Sequence, residues 1–159
     1  MSLVERMLSC GAAVPLLLLC AGPPLQAAQR MPSEQRILEL TNAERARAGC
    51  PPVRLNGDLS RAAAGHSADM AHRNFFGHTG SDGRSPVDRT RSEGFPSGYV
   101  GENIAAGRET ADGTFRQWMD AVPHRDNILD CAFTDLGVGH AATGHSHYRH
   151  YWTQELGRP

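Results

Sequence analysis

The hydrophobic period of this chain changes near residue 135, and that change limits the folds open to it. Before that point apolar residues recur at helical spacing between caps and breakers. After it, "LGVGHAA" and "YRHYWTQEL" flank the turn "TGHSH". This pattern on both sides of a turn predicts a strand–turn–strand unit. Helices first and strands last, without βαβ alternation, predict an α+β layered domain.

The helical part is well punctuated. "SEQRILELTNAERARAGCPP" predicts a first helix capped by Ser33, with Ile37, Leu40, Glu44 and Ala48 on one face and Gly49, Pro51 and Pro52 ending it. The turn "NGD" (56–58) leads into a second helix, capped by Asp58 and carrying Leu59, Ala63, His66 and Met70 on a single stripe. "GHTGSDGRSP" is a glycine-rich loop, after which Ser85, Pro86 and Asp88 start a short third helix that Gly94 ends. In "TADGTFRQWMDAV", Thr110 is the expected cap, Phe115, Trp118, Met119 and Val122 face inward, and Pro123 is expected to stop the helix. No repeat and no low-complexity segment interrupts this order.

A chain of 159 residues suffices for one domain with one core. Its 40% hydrophobic and 21% charged residues, with a net charge of −1, are globular proportions and exclude a disordered chain. Sixteen basic residues nearly balance seventeen acidic ones, without a basic run, so a nucleic-acid partner is set aside. Residues 1–28 read as a cleaved signal peptide: Arg6, an apolar stretch interrupted by Pro15, then Ala27 and Ala28 as cleavage candidates. Residues 29–159 then form a single domain that is secreted or held in the periplasm or cell envelope, with no stable membrane span after cleavage. A lipid anchor at Cys20 is the alternative, opposed by the bulky Leu19, and an uncleaved anchor is a further one. Cys50 and Cys131 remain after cleavage, and in an exported domain one pair most simply forms one disulfide, worth roughly 4 kcal/mol in the chain-entropy model. Two buried thiols would suit a cytoplasmic protein instead.

Chemistry in the sequence centres on Glu102. "YVGENIAAG" places this carboxylate among glycines and small apolar residues, where it needs a cation, a metal or a hydrogen-bond donor. The eight histidines all lie at or after His66. His66, on the apolar stripe, reads as a core histidine satisfied by one hydrogen bond. His78 follows two phenylalanines and a glycine at the mouth of a loop. His124 falls just past a helix end, where the dipole would favour an imidazolium. His140, His145, His147 and His150 form a tract around the turn, read as a solvated cluster with at most incidental transition-metal affinity. HExxH, GxSxG, phosphate-loop and CxxC motifs are absent. "HSAD" (66–69) is no triad, because Ser67 lies about 100° around the helix from His66.

Together "LTNAERARAG", "HSADM", "FFGHTGSDG", "GENIAAG", "WMDAVPHRDNIL", "FTDLGVG" and "YWTQELG" resemble the CAP superfamily of cysteine-rich secretory proteins, antigen 5 allergens and plant pathogenesis-related proteins, in its short secreted bacterial branch. The resemblance runs from about Ile37 to Gly157. It implies an α–β–α sandwich, with a small antiparallel sheet between helical layers and an open cleft on one side. It also implies that His78, Glu102 and His124 line that cleft, with Glu102 facing both histidines. Where animal and plant relatives carry a second glutamate this chain has Ala121. Asp120, one residue earlier, is rotated about 100° and is not an obvious substitute.

The leading functional reading is a non-enzymatic exported binding module whose cleft takes a small or lipid-like ligand, or an envelope or host protein. A divalent ion such as zinc, held by His78 and His124, is implied for some relatives. The second reading is a metal-dependent hydrolase using His78, His124 and Glu102, with Glu102 as base. The third is a purely structural His/Glu network.

Overall fold

A computed structural model describes residues 32–159; the leader reading and Cys20 lie outside the described residues. The elements run α1 (Ser33–Arg47), β1 (Arg54–Leu55), α2 (Gly57–Arg73), α3 (Pro86–Ser92), β2 (Tyr99–Ala106), α4 (Ala111–Asp120), α5 (Val122–Leu129), β3 (Asp135–Ala142) and β4 (His150–Arg158). The sheet order is β1-β3-β4-β2. β3 and β4 form the expected antiparallel pair, and β2 joins β4 antiparallel. Two features depart from the expectation. The two-residue β1 pairs parallel with β3, making the sheet mixed. The Glu102 segment is a full edge strand lying between helices in chain order. Its glycines and small residues hide the alternation that marks β3 and β4.

Alternation along β3 and β4 assigns the two faces. Leu136, Val138, Trp152 and Leu156 share a core with Ile37 of α1 and Phe115 and Trp118 of α4. Gly137 and Gly139 face α2. A Cβ on Gly137 would lie 2.1 Å from the backbone carbon of Leu59, and one on Gly139 would lie 2.3 Å from that of Ala63. Only glycine lets α2 press this closely onto the strand. Ser67 fixes the same contact, its Oγ lying 2.9 Å from Thr153 Oγ1. The stripe Leu59, Ala63, His66 and Met70 is buried as expected.

Several local expectations are corrected. Pro32, not Ser33, occupies the cap position of α1 and makes no side-chain cap bond. The fully buried positions of α1 are Ile37, Thr41 and Arg45; Leu40 packs partly buried against the same core as expected, whereas Glu44 is only half-buried and Ala48 is exposed. Arg45 is held there by hydrogen bonds: its guanidinium is fully buried and donates to the carbonyls of Pro51, Ile128, Asp130 and Phe133 at 2.8–2.9 Å. Asn56 rather than Asp58 caps α2, accepting from the amides of Asp58 and Leu59. Ser85, Pro86 and Asp88 start α3 as expected, Ser85 and Asp88 adding a full capping box, and Thr110 caps α4 as expected. Pro123 does not end the helical region. It occupies the first turn of α5, where its missing N–H costs nothing, and Val122 is exposed. Cys50 and Cys131 are disulfide-bonded across 81 residues.

Candidate functional site

β2 carries Glu102 on the α2 side of the sheet, directly opposite Glu155 of β4. The side chain of Glu102 is 2% exposed and both of its oxygens are engaged. His78 Nδ1–H donates to Oε1 at 2.7 Å, and Arg89 Nη2–H donates to Oε2 at 2.5 Å. Two charge-assisted hydrogen bonds are what an ionised carboxylate needs to stay buried. Burial pushes the Glu102 pKa up, but the bond from His78, the neighbouring Glu155 carboxyl and the charge of Arg89 outweigh it, leaving the group below its usual value.

Each partner is held by local chemistry. The α3 capping box fixes the start of the helix that carries Arg89. The other guanidinium nitrogen of Arg89 donates to the carbonyls of His78 (3.0 Å) and Arg84 (2.9 Å). Arg89 therefore positions the His78 loop as well as Glu102. The side chain of His78 is 54% exposed, and its pKa is raised chiefly by the hydrogen bond to Glu102. His66 is fully buried, and Nε2–H donates to the Gly77 carbonyl at 2.9 Å, the single bond expected of it. Burial holds its pKa down, so it is neutral despite lying 4.0 Å from Glu102.

His124 is placed otherwise than the sequence suggested. It lies in the first turn of α5, so it meets the positive end of a helix dipole, not the negative end. Burial and the charge of His78 lower its pKa. No hydrogen bond joins His124 to Glu102. Instead its carbonyl accepts from Asn103 Nδ2 at 3.0 Å, and Asn103 continues to Gln154 (2.9 Å), whose amide reaches Thr41. Asp120 is exposed at the end of α4 and forms no bond with His78, Glu102 or His124. The second contact to Glu102, expected from His124, is supplied by Arg89.

Arg89 and Glu155 were missed in the sequence. A buried carboxylate demands a cation, but nothing in the spacing chose Arg89 among sixteen basic residues. For Glu155 a signal existed: in "YWTQEL" it alternates onto the face of Tyr151 and Thr153, which is closed by α2. Glu155 is fully buried and neither of its oxygens has a hydrogen-bond donor, with Arg89 3.9 Å away. Two carboxyls this close in a buried site do not both ionise. Burial, then the charge of Glu102, pushes Glu155 well above its ordinary 4.5, so of the two it is Glu155 that holds a proton.

Protonation of Glu155 has a stability consequence. The folded state retains this proton over a range where the unfolded chain has released it, so stability falls as pH rises above about 4.5. Glutamine keeps the volume and an N–H donor but cannot ionise. Glu155→Gln should leave stability at pH 4 nearly unchanged and raise it relative to wild type at pH 8, as read by urea unfolding at both. An equal difference at the two pH values would mean that Glu155 titrates normally.

A pocket of about 290 Å³ between α2 and α3 reaches this cluster only through His66 and Arg89. It is lined by neither His78, Glu102 nor His124, and its rim cations Arg61 and Arg84 are paired with Glu93 and Asp82. The residues present do not make a three-ligand metal centre in the cleft. His78 commits Nδ1 and Glu102 commits both oxygens, while Nδ1 of His124 is enclosed. Among the described residues no group of three or more His, Cys, Asp or Glu side chains is placed to hold a metal ion.

An α+β sandwich with a His–Glu cluster at the sheet edge defines the class. The chain belongs to the CAP family: the family described as Cysteine-rich secretory protein family matches residues 38–156. The uncharacterised protein YkwD of Bacillus subtilis is 38% identical over 123 residues, 77% of this chain and 46% of that protein. Among solved structures, an extracellular protein containing a SCP domain from Bacillus anthracis superposes with a TM-score of 0.72 at 29% identity, covering 87% of this chain and 45% of that one. An outer surface protein of Borrelia burgdorferi has a TM-score of 0.70 at 14% identity, covers 78% of this chain and 90% of its own, and shares the fold. The chain spans less than half the length of the two Bacillus proteins.

Proposed function

We propose that this chain is an exported binding module, with residues 1–28 as its leader, whose His78 recognises the anionic or hydrogen-bond-accepting head of a small amphipathic ligand. One observation carries the reading: Glu102 spends both oxygens inside the protein, and His78 alone turns outward from the cluster. A general base needs a free lone pair within reach of substrate. Glu102, its side chain 2% exposed and enclosed by His78 and Arg89, is out of that reach, which counts against the hydrolase reading. His78, by contrast, is a half-exposed imidazole whose charge Glu102 favours. Phe76, two residues before it, is exposed and packs against the exposed Tyr148 with ring centroids 5.9 Å apart, offering apolar surface for a ligand body. The disulfide and the extracellular B. anthracis relative support export. Among the described residues no helix is long and apolar enough to cross a membrane.

The test is calorimetric titration with decanesulfonate, whose head stays anionic throughout. Wild type should bind more tightly at pH 6 than at pH 9. His78→Ala should weaken binding at pH 6 by about tenfold, on the order of one charge-assisted hydrogen bond, and remove the pH dependence. Equal binding by the two proteins would favour the structural-network reading. That reading draws on the Asn103–Gln154–Thr41 chain, which links α1, the sheet and α5.

A further inference from the structure

On the opposite face of the sheet from Glu102, β3 and β4 bring two histidines together. His140 pairs directly across from Trp152, and His150 pairs across from Ala142, so the two imidazoles are diagonal neighbours on one face. His140 Nε2 and His150 Nδ1 lie 3.2 Å apart and share one hydrogen bond, the rings being nearly coplanar at 7°. His140 also stacks on the indole of Trp152, with ring centroids 3.9 Å apart and planes at 16°. Trp152 is itself fixed, donating Nε1–H to the Arg108 carbonyl at 2.7 Å. His140 is therefore oriented by the fold rather than loose on a turn.

We propose that His140 and His150 form a two-nitrogen site for a divalent transition ion, Cu²⁺ bound more tightly than Zn²⁺. Two metal–nitrogen bonds of about 2.0–2.1 Å span about 2.9 Å at the cis angle of a tetragonal Cu²⁺ site and about 3.3 Å at a tetrahedral angle, on either side of the separation already present. Imidazole pairs suit Cu²⁺, Ni²⁺ and Zn²⁺, and Cu²⁺ leads in the general order of affinity. The nitrogens now point at each other, so His150, half-buried and not stacked on the indole, turns to aim its lone pair beside that line. The proton between the rings moves through solvent to the outer nitrogen of the ring that carries it. The neutral pair thus loses no net proton, and water fills the remaining coordination positions.

Trp152 reports on the site, since Cu²⁺ bound to His140 would quench an indole stacked on that ring. Titrating the full chain with Cu²⁺ should quench its tryptophan emission at about one equivalent. His140→Phe, which keeps the stack but removes the nitrogens, and His150→Ala should each weaken this phase by tenfold or more. His145→Ala/His147→Ala and His78→Ala/His124→Ala should leave it in place. Thermal unfolding of each variant checks that it is folded. Wild-type quenching in His140→Phe and His150→Ala would overturn the proposal, as would loss of quenching in His145→Ala/His147→Ala, which would move the ion to the turn.

Discussion

Replacing Arg89 by methionine should destabilise the protein by about 3–5 kcal/mol, the cost of leaving a buried charge without its partner. Methionine fills most of the space, so the loss reports on charge and hydrogen bonds rather than on a cavity. Three acceptors lose their donor at once: Glu102 Oε2 and the carbonyls of His78 and Arg84. Glu155 also loses the cation 3.9 Å away that offsets the charge of Glu102. Arg89→Met combined with Glu102→Gln should recover part of the loss, because the uncompensated charge is gone. Urea unfolding of both single variants and the double variant measures the coupling. A loss under about 1 kcal/mol in Arg89→Met would put the pair in the class of weak surface bridges.

Arg45→Met should be of similar size, about 3–5 kcal/mol, for a different reason: it leaves buried carbonyls without their donor. No carboxylate bonds to Arg45, and its charge is met by four carbonyl dipoles. Hydrogen bonds to charged groups contribute about 1.5–3 kcal/mol each, with strong non-additivity when they share one donor group. Three of those carbonyls, Ile128, Asp130 and Phe133, surround Cys131 in sequence, so Arg45 and the disulfide pin the same stretch. The oxidised variant should fold with its melting temperature lowered by about 10 °C or more. Reduced, it loses the further ~4 kcal/mol of the cross-link and should fail to fold. A melting temperature within two or three degrees of wild type, about 1 kcal/mol or less, would show that water replaces the guanidinium without penalty.

Arg45 also marks where the sequence was opaque. Helical spacing identified α1 and its Ile37 and Leu40 contacts, but a hydrophobicity count does not choose Thr41 and Arg45 for burial beside them. That choice depends on carbonyls more than 80 residues away. The stripe on α2, the start of α3 at Ser85–Asp88 and the β3–β4 hairpin were legible because each rests on local periodicity or local end preferences. β2 was not, since Gly101, Ala105 and Ala106 leave little alternation to read. At the site, the demand of Glu102 for a partner was legible and His78 answered it. Arg89 and Glu155 were not, because their roles come from the register of β2 on β4 and the seating of α3. His124 was misjudged through Pro123, which starts a helix as readily as it stops one.

The central claim is that Glu102 is an ionised clamp, consumed within the protein, that keeps the outward-facing His78 charged. NMR titration of the His78 ring in wild type and Glu102→Gln tests it most directly. In wild type His78 should titrate above its ordinary value of 6.5, and in Glu102→Gln the midpoint should fall toward or below that value. The same interaction stabilises the fold while Glu102 is ionised and His78 charged, fading as pH rises through the raised His78 midpoint and as it falls through the lowered Glu102 midpoint. A wild-type midpoint at or below 6.5, unmoved by Glu102→Gln, would contradict the account.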